Sequence, residues 1–164
     1  MKPILNIGEL ELSGGPGHGE RFASRMGMIG NRIGAQKLGY NLTVVPPGKR
    51  AFPFHVHRIN EEMFFVIEGS GEVRIGPDTY PIRQGDVIAC PPGGPSQAHQ
   101  IINTGTVELK YLAVSTKLSA EVVEYPDSGK FGVMAEYPGE SGKLERFRYV
   151  GRPDGGLDYW DGEG

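Results

Sequence analysis

A single cysteine, Cys90, stands in the 164 residues. No intrachain disulfide framework is open to the chain, which reads as made for a reducing compartment, the cytoplasm. Cys90 closes an apolar run ahead of Pro91-Pro92, where a small buried side chain is the expected role. Long apolar runs are missing as well. The N-terminus carries one lysine but no continuous hydrophobic segment, so neither a signal peptide nor a membrane span is expected. Positive charge is not in excess: the formal net charge is -3, and no basic stripe with interleaved aromatics is present. That argues against a nucleic-acid partner. Helix-period segments of useful length are absent, as are internal repeats, low-complexity tracts and a helix-turn-helix pattern at either end.

What the chain has is punctuation. Its 26 glycines and 13 prolines fall in short clusters that suit many short strands joined by turns. Strands are expected over 20–29, 37–45, 52–57, 62–68, 72–75, 80–82, 86–90, 98–103 and 107–115. The turns between them have the right chemistry, as in Glu68-Gly69-Ser70-Gly71, Gly76-Pro77-Asp78 and Gln84-Gly85-Asp86. The expected class is therefore all-β, a sandwich or barrel in one domain. Residues 1–34 read as an N-terminal extension packing on a barrel of residues 35–115. Residues 116–164 read as a C-terminal extension wrapping it, because they are too few for a core of their own. Short strands are expected there at Val122-Val123 and Val133–Ala135, and Trp160 is expected to dock the tail. His18, in the glycine-rich loop near the N-terminus, reads as solvated.

His55 and His57, one residue apart, lie on one face of a strand because strand side chains alternate. Glu62, five residues on, can return on the neighbouring strand and point into the same space, while Glu61 is out of phase and turns outward. Imidazoles and one carboxylate converging on a point make a first-row transition-metal site by ligand type. The same residues also suit a solvated His-x-His beside two acidic side chains. The strand that follows is apolar on both faces, with Phe64 and Val66 on one and Met63, Phe65 and Ile67 on the other, so both faces should be covered. Terminal segments or a partner subunit would supply the second layer, and a homodimer is expected.

A second constellation follows. Gly85 opens a buried strand, Pro91-Pro92-Gly93 bends the chain, and His99 starts the next strand ahead of Asn103. Together the two stretches resemble the cupin superfamily. Gly48, His55, His57, Glu62 and Gly69 fill the places of its first motif, and Gly85, Pro91, Gly93, His99 and Asn103 those of its second. Ser70 to Gln84 matches the short inter-motif spacing of small single-domain cupins. The spacer after Gly48 and the Gly94 to Ala98 loop are both longer than the family pattern, and the second bears on the pocket mouth.

The resemblance implies a double-stranded β-helix, or jelly roll, holding one divalent transition metal on His55, His57, Glu62 and His99. Three imidazoles and a carboxylate leave about two of six octahedral positions for water or substrate, and the set suits Fe, Mn, Ni, Co or Zn. Such a site favours a bidentate anionic oxygen donor on a small molecule. Tyr40, Gln97, Gln100, Asn103 and Tyr111 are candidate supporting or pocket residues. Within the superfamily the chain looks most like short proteins described as sugar-phosphate-isomerase-like, which implies proton transfer on a chelated hydroxy-carbonyl unit with Glu68 or Tyr111 as the base. Lys37, Arg50, Arg74 and Lys110 are available for a phosphate. An Fe(II)-dependent dioxygenase and a non-catalytic small-ligand binder are the alternatives.

Overall fold

The computed structural model describes residues 2–14 and 17–164, so Gly15 and Pro16 of the glycine-rich loop lie outside the described residues. Thirteen strands form the chain: β1 Ser13–Gly14, β2 Arg25–Met28, β3 Leu38–Val45, β4 Val56–His57, β5 Glu62–Glu68, β6 Ser70–Ile75, β7 Asp78–Arg83, β8 Val87–Cys90, β9 His99–Ile102, β10 Leu109–Thr116, β11 Ala120–Tyr125, β12 Lys130–Pro138 and β13 Leu144–Gly151. One short helix, α1 Gly30–Ile33, links β2 to β3. Every strand pairing is antiparallel.

Two walls result. The first is a six-stranded sheet in the order β1-β2-β3-β10-β5-β8. The second is made of a three-stranded sheet, β7-β6-β9, and a four-stranded one, β13-β12-β11-β4. A bridge between His55 and His99 joins these two, with each residue's N–H donating to the other's carbonyl at 3.2 and 2.8 Å. Between the walls lies the main core, where Phe64 and Val66 of β5 meet Val73, Ile88, Ile101 and Leu109. Burial of such side chains, at about 1.5–3 kcal/mol each, holds the walls together. This is an all-β barrel, as the turn and strand pattern predicts, in the double-stranded β-helix form that the cupin resemblance implies.

The second layer over β5 comes partly from the N-terminal segment. Leu5, Leu10 and Leu12 pack with Leu42 and Val44 of β3, and with Ile67 and Leu112, on the outer side of the six-stranded sheet. Phe65 and its neighbour across the ladder, Val87, remain exposed on that side. Tyr40 shares this outer face and is therefore away from the barrel interior, contrary to its expected role near the pocket.

Three elements differ from the sequence reading. The strand expected over 52–57 shrinks to β4, because Pro53 has no N–H to give a ladder. β13 was not expected at all. It is an edge strand exposed on both faces, and its alternation, Arg146-Phe147-Arg148-Tyr149, is only four residues long and buries neither side. Trp160 does not dock: it is 72% exposed and meets only Tyr159 edge-on among the aromatic rings.

Gly69 shows how tightly the β5–β6 turn is set. Its φ is +86°, and a Cβ there would lie 2.5 Å from the Glu108 carbonyl oxygen. Gly69→Ala should cost about 1–3 kcal/mol. A urea melt should show a lower midpoint with an unchanged slope; an unchanged midpoint would contradict this account of the turn.

Candidate metal centre

Three strands bring four side chains together inside the barrel mouth. His55 precedes β4, His57 ends it, Glu62 opens β5 and His99 opens β9. Donor atoms of His55, Glu62 and His99 all lie within 4.8 Å of one another. Glu62 Oε2 stands 3.1 Å from His99 Nε2, 3.3 Å from His57 Nε2 and 3.8 Å from His55 Nε2. Ligands bound at about 2.0–2.2 Å to one cation sit roughly 3.0–3.5 Å apart along the edges of a coordination polyhedron, so His55, Glu62 and His99 are close enough to share a cation, with His57 beside them on Glu62. The cluster is largely screened from solvent, with side-chain exposures of 13%, 18%, 17% and 3% for His55, His57, Glu62 and His99.

The other ring nitrogens carry a second message. His55 Nδ1 faces the Pro53 carbonyl at 2.8 Å, His57 Nδ1 faces Glu121 Oε2 at 3.1 Å, and His99 Nδ1 faces the Gln97 carbonyl at 3.4 Å. Each partner oxygen only accepts, so each Nδ1 can donate to it, which leaves Nε2 as the nitrogen that faces Glu62. Without a cation Nε2 can donate to the carboxylate; with one, the same nitrogen would offer its lone pair.

Charge and burial act together here. Burial alone would raise the Glu62 carboxyl, but hydrogen bonds from His55, His57 and His99, with the charge on His57, hold it far below the usual carboxylate range. Glu62 is thus anionic at any working pH. Burial opposes a charge on His57, but the hydrogen bond and charge of Glu62, followed by Glu121, outweigh it, and its pKa is raised above 6.5. Cys90, across the ladder from Glu62, is pushed up to about 12 by burial and by that carboxylate. It remains a thiol with a packing role, as its sequence context suggested.

Glu121 is the residue the sequence reading missed. It is 2% exposed on β11, the first C-terminal strand, which pairs with β4. Its Oε2 accepts from the backbone N–H of Asn60 at 3.0 Å and from Asn60 Nδ2 at 2.5 Å, besides His57. Its Oε1 accepts from the N–H groups of Ile59 and Val122 at 3.2 and 2.8 Å. One buried carboxylate therefore fixes both the His57 ring and the loop that carries the chain from His57 to Glu62. The available signal was phase: Glu121, Val123 and Tyr125 alternate onto the face shared by His57.

The remaining candidates fall elsewhere. Glu68 lies at the far end of β5, about 20 Å along the strand from Glu62. A register shift opposite it, between Lys110 and Tyr111, and the end of the strand turn it to solvent, where it pairs with Lys110 at 2.7 Å. It does not reach the cluster from there. Tyr111 is 1% exposed and sits beneath the site, edge-on to Phe64, which in turn packs against His99. Burial, and secondarily the Glu62 charge, raises its phenol well above the ordinary value, so it stays protonated and is no base. Asn103 is fully buried but spends its amide on the Val45 and Val107 carbonyls, holding a turn. Gln100 faces away from His99 and donates to the Phe52 carbonyl. Gln97 contributes its carbonyl to His99. Arg74 is held by Asp127, and Glu61 is exposed, as its phase required.

Replacing Glu121 by Gln keeps the size but removes the charge that pins His57. Affinity for Co(II), titrated into chelator-treated protein, should fall about 10–100-fold. In the unaltered chain the same affinity should weaken as pH drops through the raised His57 pKa, because proton and cation compete for one Nε2 lone pair. Equal affinities for both proteins would remove Glu121 from the site.

The cupin domain family model matches residues 41–115, which span both histidine-bearing stretches. Among solved structures, a protein of Acidithiobacillus ferrooxidans provisionally called a sugar phosphate isomerase is similar at 26% identity and a TM-score of 0.74, over 89% of this chain and 92% of that one. A sugar phosphate isomerase from a cupin superfamily, from Silicibacter pomeroyi, is similar at 25% identity and the same TM-score, over 97% and 98%. An uncharacterized protein of Methanocaldococcus jannaschii is 35% identical over 72 residues, 44% of this chain, and the match spans only 54% of that relative's length. Barrel, paired motifs and likenesses agree that residues 41–115 form a cupin domain.

Proposed function

We propose that this protein is a metal-dependent enzyme of isomerase type, acting on a small sugar-phosphate-like or otherwise oxygen-rich substrate. The observation that carries the reading is the set of three histidines with Nδ1 capped and Nε2 turned onto Glu62. His55, His57, Glu62 and His99 would hold one divalent ion of Fe, Mn, Ni, Co or Zn type. A bound cation of this kind supplies Lewis acidity, polarising a carbonyl oxygen and favouring an anionic chelate. The names carried by the two structural relatives at a TM-score of 0.74 support sugar phosphates as the substrate class.

The protein's own residues set the rest. Tyr111, held as a neutral phenol, can donate but not abstract a proton. Neither it nor Glu68 serves as base, so a water or a substrate-borne group in the barrel mouth takes that part. No helix among the described residues is long and apolar enough to cross a membrane. We place the chain in the cytoplasm, its lone cysteine buried and protonated. We also propose a homodimer that covers the exposed Phe65 and Val87 on the outer sheet face. Light scattering should then give twice the 17.8 kDa chain mass; a monomer at micromolar concentration would contradict it.

The activity is tested by elemental analysis of natively purified protein, followed by a panel of aldose and ketose phosphates with and without air. Stoichiometric metal and interconversion that proceeds anaerobically are expected. Turnover that consumes oxygen and needs Fe(II) would replace this reading with a dioxygenase, and tight binding without product would replace it with a ligand-binding module.

A further inference from the structure

The turn joining β11 to β12 leans over the mouth of the barrel beside the histidines. Tyr125, in phase with His57 on β11, stacks on the His55 ring at 6.3 Å between centroids and 29° between planes. Lys130, its partner across the ladder, places Nζ 5.0 Å from the centre of the Tyr125 ring. Its ammonium is therefore within about 11 Å of the His55 ring. The turn itself is anchored, because Asp127 receives both hydrogen bonds from Arg74 Nη1 at 3.0 and 2.9 Å.

Lys130 also lines a cleft of about 380 Å³ with His18, Ser24, Phe22, Ala51 and Pro53. Pro53 is the residue whose carbonyl caps His55, so the cleft abuts the first metal-ligand candidate. The segment bearing His18 is stitched down. His18 N–H donates to the Phe22 carbonyl at 3.0 Å, and Ala23 N–H donates to the Arg50 carbonyl at 3.2 Å. Among the described residues no Asp or Glu lines the cleft, and Lys130 makes no ion pair. Two other nearby cations are committed, Arg58 to Glu124 and Arg74 to Asp127, while Arg50, whose carbonyl holds Ala23, gives Nη1 to Gln100 and has a buried Nε with no partner among the described residues. In a chain of net charge -3, a half-buried lysine held on an aromatic ring and lining a cleft with a histidine and a serine, with no Asp or Glu among that cleft's described lining residues, is a local reversal of sign.

We infer that the cleft between the N-terminal segment and the β11–β12 turn is an oxyanion subsite, in which Lys130, His18 and Ser24 hold the charged terminus of the molecule that the histidine cluster chelates at its other end. This rests on the proposed metal-dependent reading and names the part of the substrate that reading leaves unplaced. The dimensions agree: an extended chain of five or six bonds spans roughly 7 Å, which bridges the cluster and the reach of Lys130. A phosphate and a carboxylate share the chemistry required, three or two acceptor oxygens for an ammonium, an imidazole and a hydroxyl. Lys130 is then a determinant of specificity, selecting substrates with an anionic tail, and Tyr125 positions it.

The test uses the full chain freed of metal by chelator, so that anion binding is read without any contribution from a cation. Inorganic phosphate and, separately, acetate are titrated and followed by calorimetry. Saturable binding of one of them is expected, and the better anion identifies the terminus as phosphoryl or carboxylate. Lys130→Met should raise its Kd at least tenfold and His18→Gln at least threefold. Lys130→Arg should retain most of the affinity, and Lys143→Met, in a remote turn, should leave it unchanged. No saturable binding of either anion, or equal Kd values for Lys130→Met and the unaltered chain, would overturn the subsite. Metal uptake is measured in parallel on the same protein. Uptake without anion binding would sink this inference and leave the metal reading standing; anion binding without uptake would do the reverse.

Discussion

Glu62 sits where three imidazole rings from two separate stretches of chain come together, and a buried carboxylate tolerates that position only with partners. Its desolvation is offset by the ring nitrogens of His55, His57 and His99. The barrel supplies those partners by bringing β4, β5 and β9 to one end of the molecule. The junction is thin on one side. β9 and β4 meet through a single bridge at His55 and His99, the two residues whose side chains also belong to the cluster. Opening that bridge would open the site, so the closure of the second wall and the geometry of the donors are one constraint.

That constraint explains the part played by the C-terminal segment. β4 has only two residues and cannot hold itself in place. β11 pairs with it, and Glu121 caps the His57 ring from behind while gathering the backbone N–H groups of the following loop. Arg58, in the same loop, reaches Glu124 at 2.7 Å, and Asn60 takes Thr116 Oγ1–H and Leu118 N–H on its own amide oxygen. The tail is less a wrapping than a brace, and its β11–β12 turn then leans over the pocket. Structure and chemistry share residues here: the segment that stiffens the donors is also the one that brings Tyr125 and Lys130 beside the mouth.

Much of this was legible in the sequence, and the boundary of legibility has physical causes. His55, His57 and Glu62 are close in sequence: alternation puts the two histidines on one face, and a short return onto the neighbouring strand brings Glu62 to them. The turn glycines and prolines announced short antiparallel strands. Long-range features were harder. Glu121 stands 64 residues from His57 in a stretch with no motif, and its burial depends on a pairing between β11 and β4 that no local pattern reports. Glu68 was misplaced for a different reason. Simple alternation from Glu62 carries it inward, but the register shift against β10 and the end of the strand turn it to solvent. β13 carries only the short Arg146-Phe147-Arg148-Tyr149 rhythm inside a stretch rich in Gly, Pro and charge, a weak mark for an edge strand wet on both faces. Tyr40 went to the outer layer with Leu42 and Val44, since alternation fixes which residues share a face but not which face is inside.

The central claim is that one cation is held by three histidine Nε2 atoms and one Glu62 oxygen. X-ray absorption at the cobalt edge of Co(II)-loaded protein tests it most directly. The account predicts one cobalt per chain with the multiple-scattering signature of about three imidazoles and a light-atom shell near 2.1 Å. An all-oxygen shell without imidazole scattering, or failure to take up cobalt at neutral pH, would contradict it.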